Sequence, residues 1–357
     1  MWFSKKDLVK HESIIVDDLH GYVLPHAGTK HSGSIISHTL RYKPKKFFNK
    51  VIILYYPSQK KPNVNDKYYH EFFVPWKSID FFIVEQWKLN HDIDILGINL
   101  QNLSINLSYF DLDETIIIVS ADFSHFLQMN KAIELENKAS HSLQHRRLID
   151  TEYNRIIDDK ISFEQLYRII PEDLILQWIG RTRSEGEKGV GYLSFLIRER
   201  ADPNKKLPDG FFVTAYDKKM TARECLGDWF TDKKWTQKIE DDLVKKVIHL
   251  GKTTSRLTGG MNKNVPIVNY TITYLYKDKG NFIRGWHGVK YHSFYLPDVF
   301  LENTYDNGKW IHFNDKEWPQ QNNFNMEPTI KKLEQKSRIL TKTNYDLYYS
   351  SVNHFNI

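Results

Sequence analysis

A single cysteine, Cys225, stands among 357 residues. It excludes an internal disulfide and fits a reducing compartment. Long apolar runs are missing as well. "TIIIVS" and "VIILYY" fall far short of the roughly 20 residues a membrane-spanning helix needs. "MWFSKKDLVKHES" lacks the apolar core of a secretory signal. These absences predict a cytoplasmic protein with no membrane association. Proline (12) and glycine (17) are sparse and aromatics reach 14%, so the chain is neither disordered nor fibrous. There is no internal repeat and no low-complexity tract. A strong charge of one sign is also absent: 50 basic against 44 acidic residues leave +6. Outside "KPKKFFNK" and "QKKP" the basic residues are dispersed, whereas a nucleic-acid surface needs them focused on one face. No nucleic-acid partner is expected.

What the sequence does have is enough apolar residue for more than one core. At this length, 41% hydrophobic content predicts two domains. The first half alternates strand-like and helix-like stretches. "SIIVDDLHGYVLPH" ends as a strand, and "SGSIISHTLRY" has helical spacing with Ile35, Ile36, Leu40 and Tyr42 near one face. "KVIILYYPS" reads as a strand closed by a loop. "WKSIDFFIVEQWKL" reads as a helix with Phe81, Phe82, Val84 and Trp87 on its apolar side. "DETIIIVSADFSHF" is a buried strand running into a polar loop, and "NKAIELENKASHSLQHRRLIDTEYNRII" reads as one long helix. The alternation predicts an α/β domain. "RERADPNKKLPDG" is the linker candidate. Beyond it, "FFVTAYDKK", "VPIVNYTITYLYKD" and "NFIRGWHGVKYHSFYLP" alternate β-branched and aromatic residues around one helix, "WTQKIEDDLVKKVIHLGK". That half reads as α+β with a largely antiparallel sheet. The expected boundaries are 1–198, a linker at 199–209, and 210–357.

Three strand ends carry the polar chemistry: "PHAG" (25–28), "PSQKKP" (57–62) and "SADFSHF" (120–126). Loops leaving the carboxyl ends of strands in an open α/β sheet gather in one crevice, where ligands bind. His26, Asp122 and His125 are therefore the candidate catalytic residues. A carboxylate beside an imidazole fixes its tautomer and raises its basicity, which suits Asp122 as partner of His125.

On these residues the chain resembles the Memo-like family. "LPHAGTKHSG" is similar to its "PHAGYxYSG" signature and "SADFSHF" to its "SSDFCHW" loop. "YYPSQKKP" falls where that family has "GPSHH", and "YYHEFFVPW" resembles "SIEMHLPY". "DLILQWIGRTRSEGEKGVGYLSFLIRER" resembles its "CGxxPI" stretch with the helix that follows. The resemblance covers about residues 10–198. It implies a class III extradiol dioxygenase-like fold and a pocket in which two histidines and a cysteine bind a redox metal. His26 matches the first ligand, while Lys60, after Gln59, stands at the second. A lysine is charged at neutral pH and has no free lone pair, so the metal site is degraded. The implied role for Lys60, with Glu71 nearby, is substrate binding, of an anionic molecule in particular.

The second half resembles the AMMECR family. "FFVTAYDKKMTARECLGDW" is similar to its "FVTL…LRGCIG" segment. "LVKKVIHLGKTTSRL", "NKNVPIVNYTITYLYK" and "WHGVKYHSFYLPDVFLENTYD" resemble the segments that follow. The match runs from about 207 to 357. It implies a surface motif of Arg223, Glu224, Cys225 and Gly227, with Glu224 in place of a glycine. His287 and Gly288 are expected in a turn and Pro297 at a strand end. Such pairs of domains are often fused or encoded together in microbes, beside a radical-SAM-type protein, which is the partner this implies. Three functions follow as expectations. One is metal-independent acid/base chemistry on a small molecule, with His125 as acid/base group, Asp122 orienting it and His26 as a second proton-transfer group. Another is a non-catalytic scaffold for a protein partner. The third keeps iron or copper, held by His26 with His31, His70 or Cys225.

Overall fold

The computed structural model describes residues 2–59, 65–101, 111–148, 156–184, 188–254, 264–277 and 346–357, with short pieces at 257, 287–290, 294–295 and 335. The chain divides into two compact units, the first ending at Glu199 and the second beginning at Arg200. Its class is mixed α/β. No helix among the described residues is long and apolar enough to cross a membrane.

The first unit opens with β1 (Ile14–Val16), β2 (Leu19–Leu24) and α1 (Thr29–Leu40). Then follow β3 (Tyr42–Pro44), β4 (Lys50–Tyr55), α2 (His70–Phe81), β5 (Asp94–Asn99) and β6 (Thr115–Ser120). The unit closes with α3 (Met129–Gln144), α4 (Lys160–Ile169), β7 (Leu174–Arg183) and β8 (Gly191–Glu199). Six strands form one sheet in the order β5-β4-β6-β2-β8-β7. The pairs β5/β4, β4/β6 and β6/β2 are parallel, and β8 runs antiparallel to both β2 and β7. β6 is buried along its whole length, the pattern of a central parallel strand covered on both faces. At Gly21 the backbones of β2 and β6 approach closely. A Cβ there would lie 2.0 Å from the Ile117 carbonyl oxygen. The chain leaves β4 toward β5 at one edge and leaves β6 toward β7 at the other, so a crevice opens beyond their carboxyl ends.

In the second unit, β9 (Gly210–Asp217) and β10 (Ala222–Trp229) precede α5 (Gln237–Thr253). They join β11 (Ile267–Lys277), β12 (His287–Lys290), β13 (Phe294–Tyr295) and β14 (Asp346–Asn356) in an antiparallel sheet, order β10-β9-β11-β14-β12-β13. α5 packs on β9, β10 and β11, with Gly251 facing Ile267 and Ala215.

Several expectations need correction. The long helix predicted over 130–157 stops well short of that end. α3 ends at Gln144, and Arg146 two residues on takes φ +55°, which no α-helix continues through. α4 starts afresh at Lys160, capped by Asp159, whose side chain accepts from the Ser162 N–H at 3.0 Å. The helix placed at 76–89 begins earlier, at His70, and passes at Phe82 into a π-helical turn, Phe82–Gln86. Val84, expected on the apolar side, is 59% exposed within this turn. The helix expected beside "RTRSEGEKG" is strand β8, paired with β7 and buried over Gly191–Arg198. His287 and Gly288 lie in β12 rather than in a turn, paired with β14. Pro297 lies outside the described residues. The linker candidate folds onto the second unit: the Ala201 N–H donates to Asn353 Oδ1 (2.8 Å) and the Asp209 N–H to the Leu275 carbonyl (2.8 Å).

Candidate functional site

Two strand ends meet at His26. β2 ends at Leu24, and Pro25 turns the chain so that the His26 ring enters the interior, 3% exposed. β6 ends at Ser120 and delivers Asp122 beside it. The His26 and Ala27 N–H groups donate to Asp122 Oδ1, at 2.9 and 3.4 Å. The Asp122 N–H in turn donates to Asp158 Oδ1 (2.9 Å), and the Asp158 N–H donates to the Asp122 carbonyl (3.3 Å).

The ring of His26 is fixed at both nitrogens. Nδ1 lies 2.9 Å from Ser120 Oγ, and that hydroxyl donates to the Glu71 carbonyl at 2.5 Å. With its proton so used, Ser120 Oγ accepts from Nδ1–H. Nε2 then faces Asp158 Oδ2 at 2.9 Å and Asp122 Oδ2 at 3.8 Å. Burial pulls the imidazole pKa down, but Asp122, Asp158 and Glu71 outweigh it and lift it from 6.5 to about 10. His26 is thus an imidazolium between two carboxylates. Burial also raises Asp122, against the pull of His26, and Asp158 pushes the same way. Asp159 caps α4 and accepts from the Tyr56 N–H (3.1 Å). Burial raises its pKa to about 7.

His125 occupies the open side. Its side chain is 33% exposed, and Nε2 lies 4.0 Å from Asp158 Oδ2. The Phe123 carbonyl, 2.6 Å from Nδ1, is the acceptor that orients the ring. The expected orienting role of Asp122 is therefore corrected: its pinned oxygen belongs to the His26 backbone. With Nδ1–H engaged, Nε2 carries the lone pair that faces the crevice. Phe126, next in the loop, is 70% exposed and holds φ +54°, strain that marks functional loops. The loop is tied down from below by Arg183, which donates to Ser124 Oγ (2.9 Å) and to the carbonyls of Leu127 (2.7 Å) and Gly189 (2.8 Å). Ser124 also bonds the buried Glu136 of α3.

Glu71, expected to bind substrate, is instead buried framework. Its Oε1 accepts from the Ser58 N–H (2.7 Å) and Oε2 lies 3.2 Å from His70 Nδ1. Burial raises its pKa, but the bonds from Ser58 and the charge of His70 win and hold it low. His70 lines the wall, stacked on Trp2 at 4.6 Å and edge-on to His26 at 5.2 Å. Lys60 lies outside the described residues. In the second unit, Arg223 and Glu224 are buried in β10, which corrects the expected surface motif. Cys225 is half-buried, its Sγ accepting from Thr214 Oγ1 at 3.1 Å. Gly227 fits against β9, where a Cβ would lie 2.1 Å from the Phe211 carbonyl.

Asp158, Asp159 and Ser120 were missed as site residues. The pair "DD" just before Lys160 is a helix-start signature, hidden by reading residues 130–157 as one helix. Of the residues named for the implied metal pocket, His26 is in place with the His70 ring 5.2 Å from it, and His31 lies on an exposed turn of α1. No protein-family model matches the chain, and no curated protein matches it.

Proposed function

We propose that the first unit carries a pocket for acid/base chemistry on a small molecule, with His125 Nε2 as the proton-transfer atom. The observation that supports it most is the run His26–Asp158–His125. One carboxylate oxygen lies 2.9 Å from a buried imidazolium and 4.0 Å from a half-exposed imidazole whose other nitrogen is already engaged. A general base needs its lone pair directed at the ligand and its tautomer fixed, and both conditions hold at His125. The site lies beyond the carboxyl ends of parallel strands, where α/β sheets bind ligands. One imidazolium against two carboxylates leaves the described part of the pocket negative. An anionic ligand would depend on Lys60, whereas the described groups favour a neutral or cationic one.

A Memo-like first unit followed by an AMMECR-like second remains part of this reading. It rests on the order of the quoted motifs and on His26, Asp122 and His125 lying together. The test is a ligand-observed NMR screen of the full chain against a library of small metabolites. Ligands that bind the native protein and lose about tenfold or more in affinity in H125Q support the reading. A library with no ligand, or ligands indifferent to H125Q, overturns it.

A further inference from the structure

We propose that His26 Nε2, Asp122 Oδ2 and Asp158 Oδ2 are the protein ligands of one divalent first-row metal ion, of the Mn2+ or Fe2+ type. This goes beyond the acid/base reading, which stands on His125 and requires no ion.

The three atoms lie within 4.8 Å of one another. What distinguishes them from a chance meeting of acids is how each side chain is held. Every ligand has one polar atom fixed from outside the cluster or by backbone, and the other aimed inward. His26 spends Nδ1–H on Ser120, itself anchored on the Glu71 carbonyl, and turns Nε2 inward, where the ion takes the place of the Nε2 proton, which is released to solvent. Asp122 spends Oδ1 on the His26 and Ala27 N–H groups and turns Oδ2 inward. Asp158 spends Oδ1 on the Asp122 N–H and does the same. Such outer partners set the tautomer and orientation of metal ligands.

The spacing fits as well. Two ligands at right angles on an ion with bonds of about 2.1 Å stand about 3.0 Å apart. Nε2 and Asp158 Oδ2 are 2.9 Å apart. Asp122 Oδ2, at 3.8 Å from Nε2, spans a wider angle in the same shell. Two carboxylates neutralise a dication, and one imidazole with two oxygens suits a borderline ion better than a soft one. Asp122 and His26 are buried while Asp158 is 29% exposed, so the remaining positions open toward His125. This set shares only His26 with the two-histidine-and-cysteine pocket.

The test is Mn2+ titration of the full chain, purified with chelator and then freed of it, by calorimetry and electron paramagnetic resonance. The expected result is about one Mn2+ per chain, with binding weakened about tenfold or more in D158N and unchanged in the surface control D80N. The nitrogen couplings of bound Mn2+ in the native protein should report one imidazole. This second readout stands even where D158N fails to fold. Absence of stoichiometric binding, equal affinity in D158N, or a Mn2+ signal without nitrogen coupling overturns the proposal. The outcome is independent of whether a small-molecule ligand is found.

Discussion

His26 and His125 share one neighbour, Asp158, and differ in role. One is buried and cationic between carboxylates, and the other is half-exposed with a free lone pair. Phe126 shows what the loop that carries His125 costs. A non-glycine residue in the left-handed region is strained by about 1–2 kcal/mol. Phe126 is also 70% exposed, so little burial is lost on its removal. F126G is expected to stabilise the first unit by about 1 kcal/mol in urea unfolding while weakening ligand binding. A destabilised variant would contradict the strain assignment. His11 gives a prediction away from the site. Burial, then Arg41, lowers its pKa from 6.5 to about 4. Between those values the unfolded chain binds more protons than the folded one. Stability is therefore full above about pH 6.5 and falls as the pH drops toward 4. H11Q should flatten that acid limb in thermal unfolding. An unchanged limb would show that His11 is free to ionise in the fold.

Among the elements, those with clean periodicity were legible in the sequence. The β-branched runs of β4 and β6 and the Ile35–Ile36–Leu40 face of α1 each carry their own signal, and these place His26 and Asp122. β5 was missed because it is a short edge strand, Asp-Ile-Leu-Gly-Ile-Asn, with no clean alternation to signal it. β8 was misread because a strand covered on both faces has no alternation to show. Asp158 was invisible for a related reason. It lies just before α4, and only its meeting with His26, more than 100 positions earlier, gives it meaning. G21A tests the strand that delivers His26. Its Cβ meets backbone 2.0 Å away, so β2 and β6 must separate, at a cost of about 3 kcal/mol. Native stability in G21A would contradict the close approach. D159A removes the cap of α4 and should cost about 1 kcal/mol in the same assay.

At the scale of the whole molecule, the two units have separate cores. The first is built around β6 and its neighbours. The second has a buried polar centre in Glu240, which accepts from Trp235 Nε1 (2.7 Å) and from the Tyr274 hydroxyl (2.9 Å). E240A strands two buried donors and should cost about 3 kcal/mol. Calorimetry should then resolve two transitions, with G21A lowering one and E240A the other. A single transition shifted equally by both would mean that the units unfold as one body.

The central claim is that His26 is a charged clasp between Asp122 and Asp158 while His125 keeps an open Nε2. Nitrogen NMR of the metal-free protein labelled at histidine, with H26Q and H125Q for assignment, reads this directly. At neutral pH protons are expected on both ring nitrogens of His26, and the neutral ring of His125 is expected as the Nδ1–H tautomer. A neutral His26 ring, or a neutral His125 ring carrying its proton on Nε2, would contradict the claim.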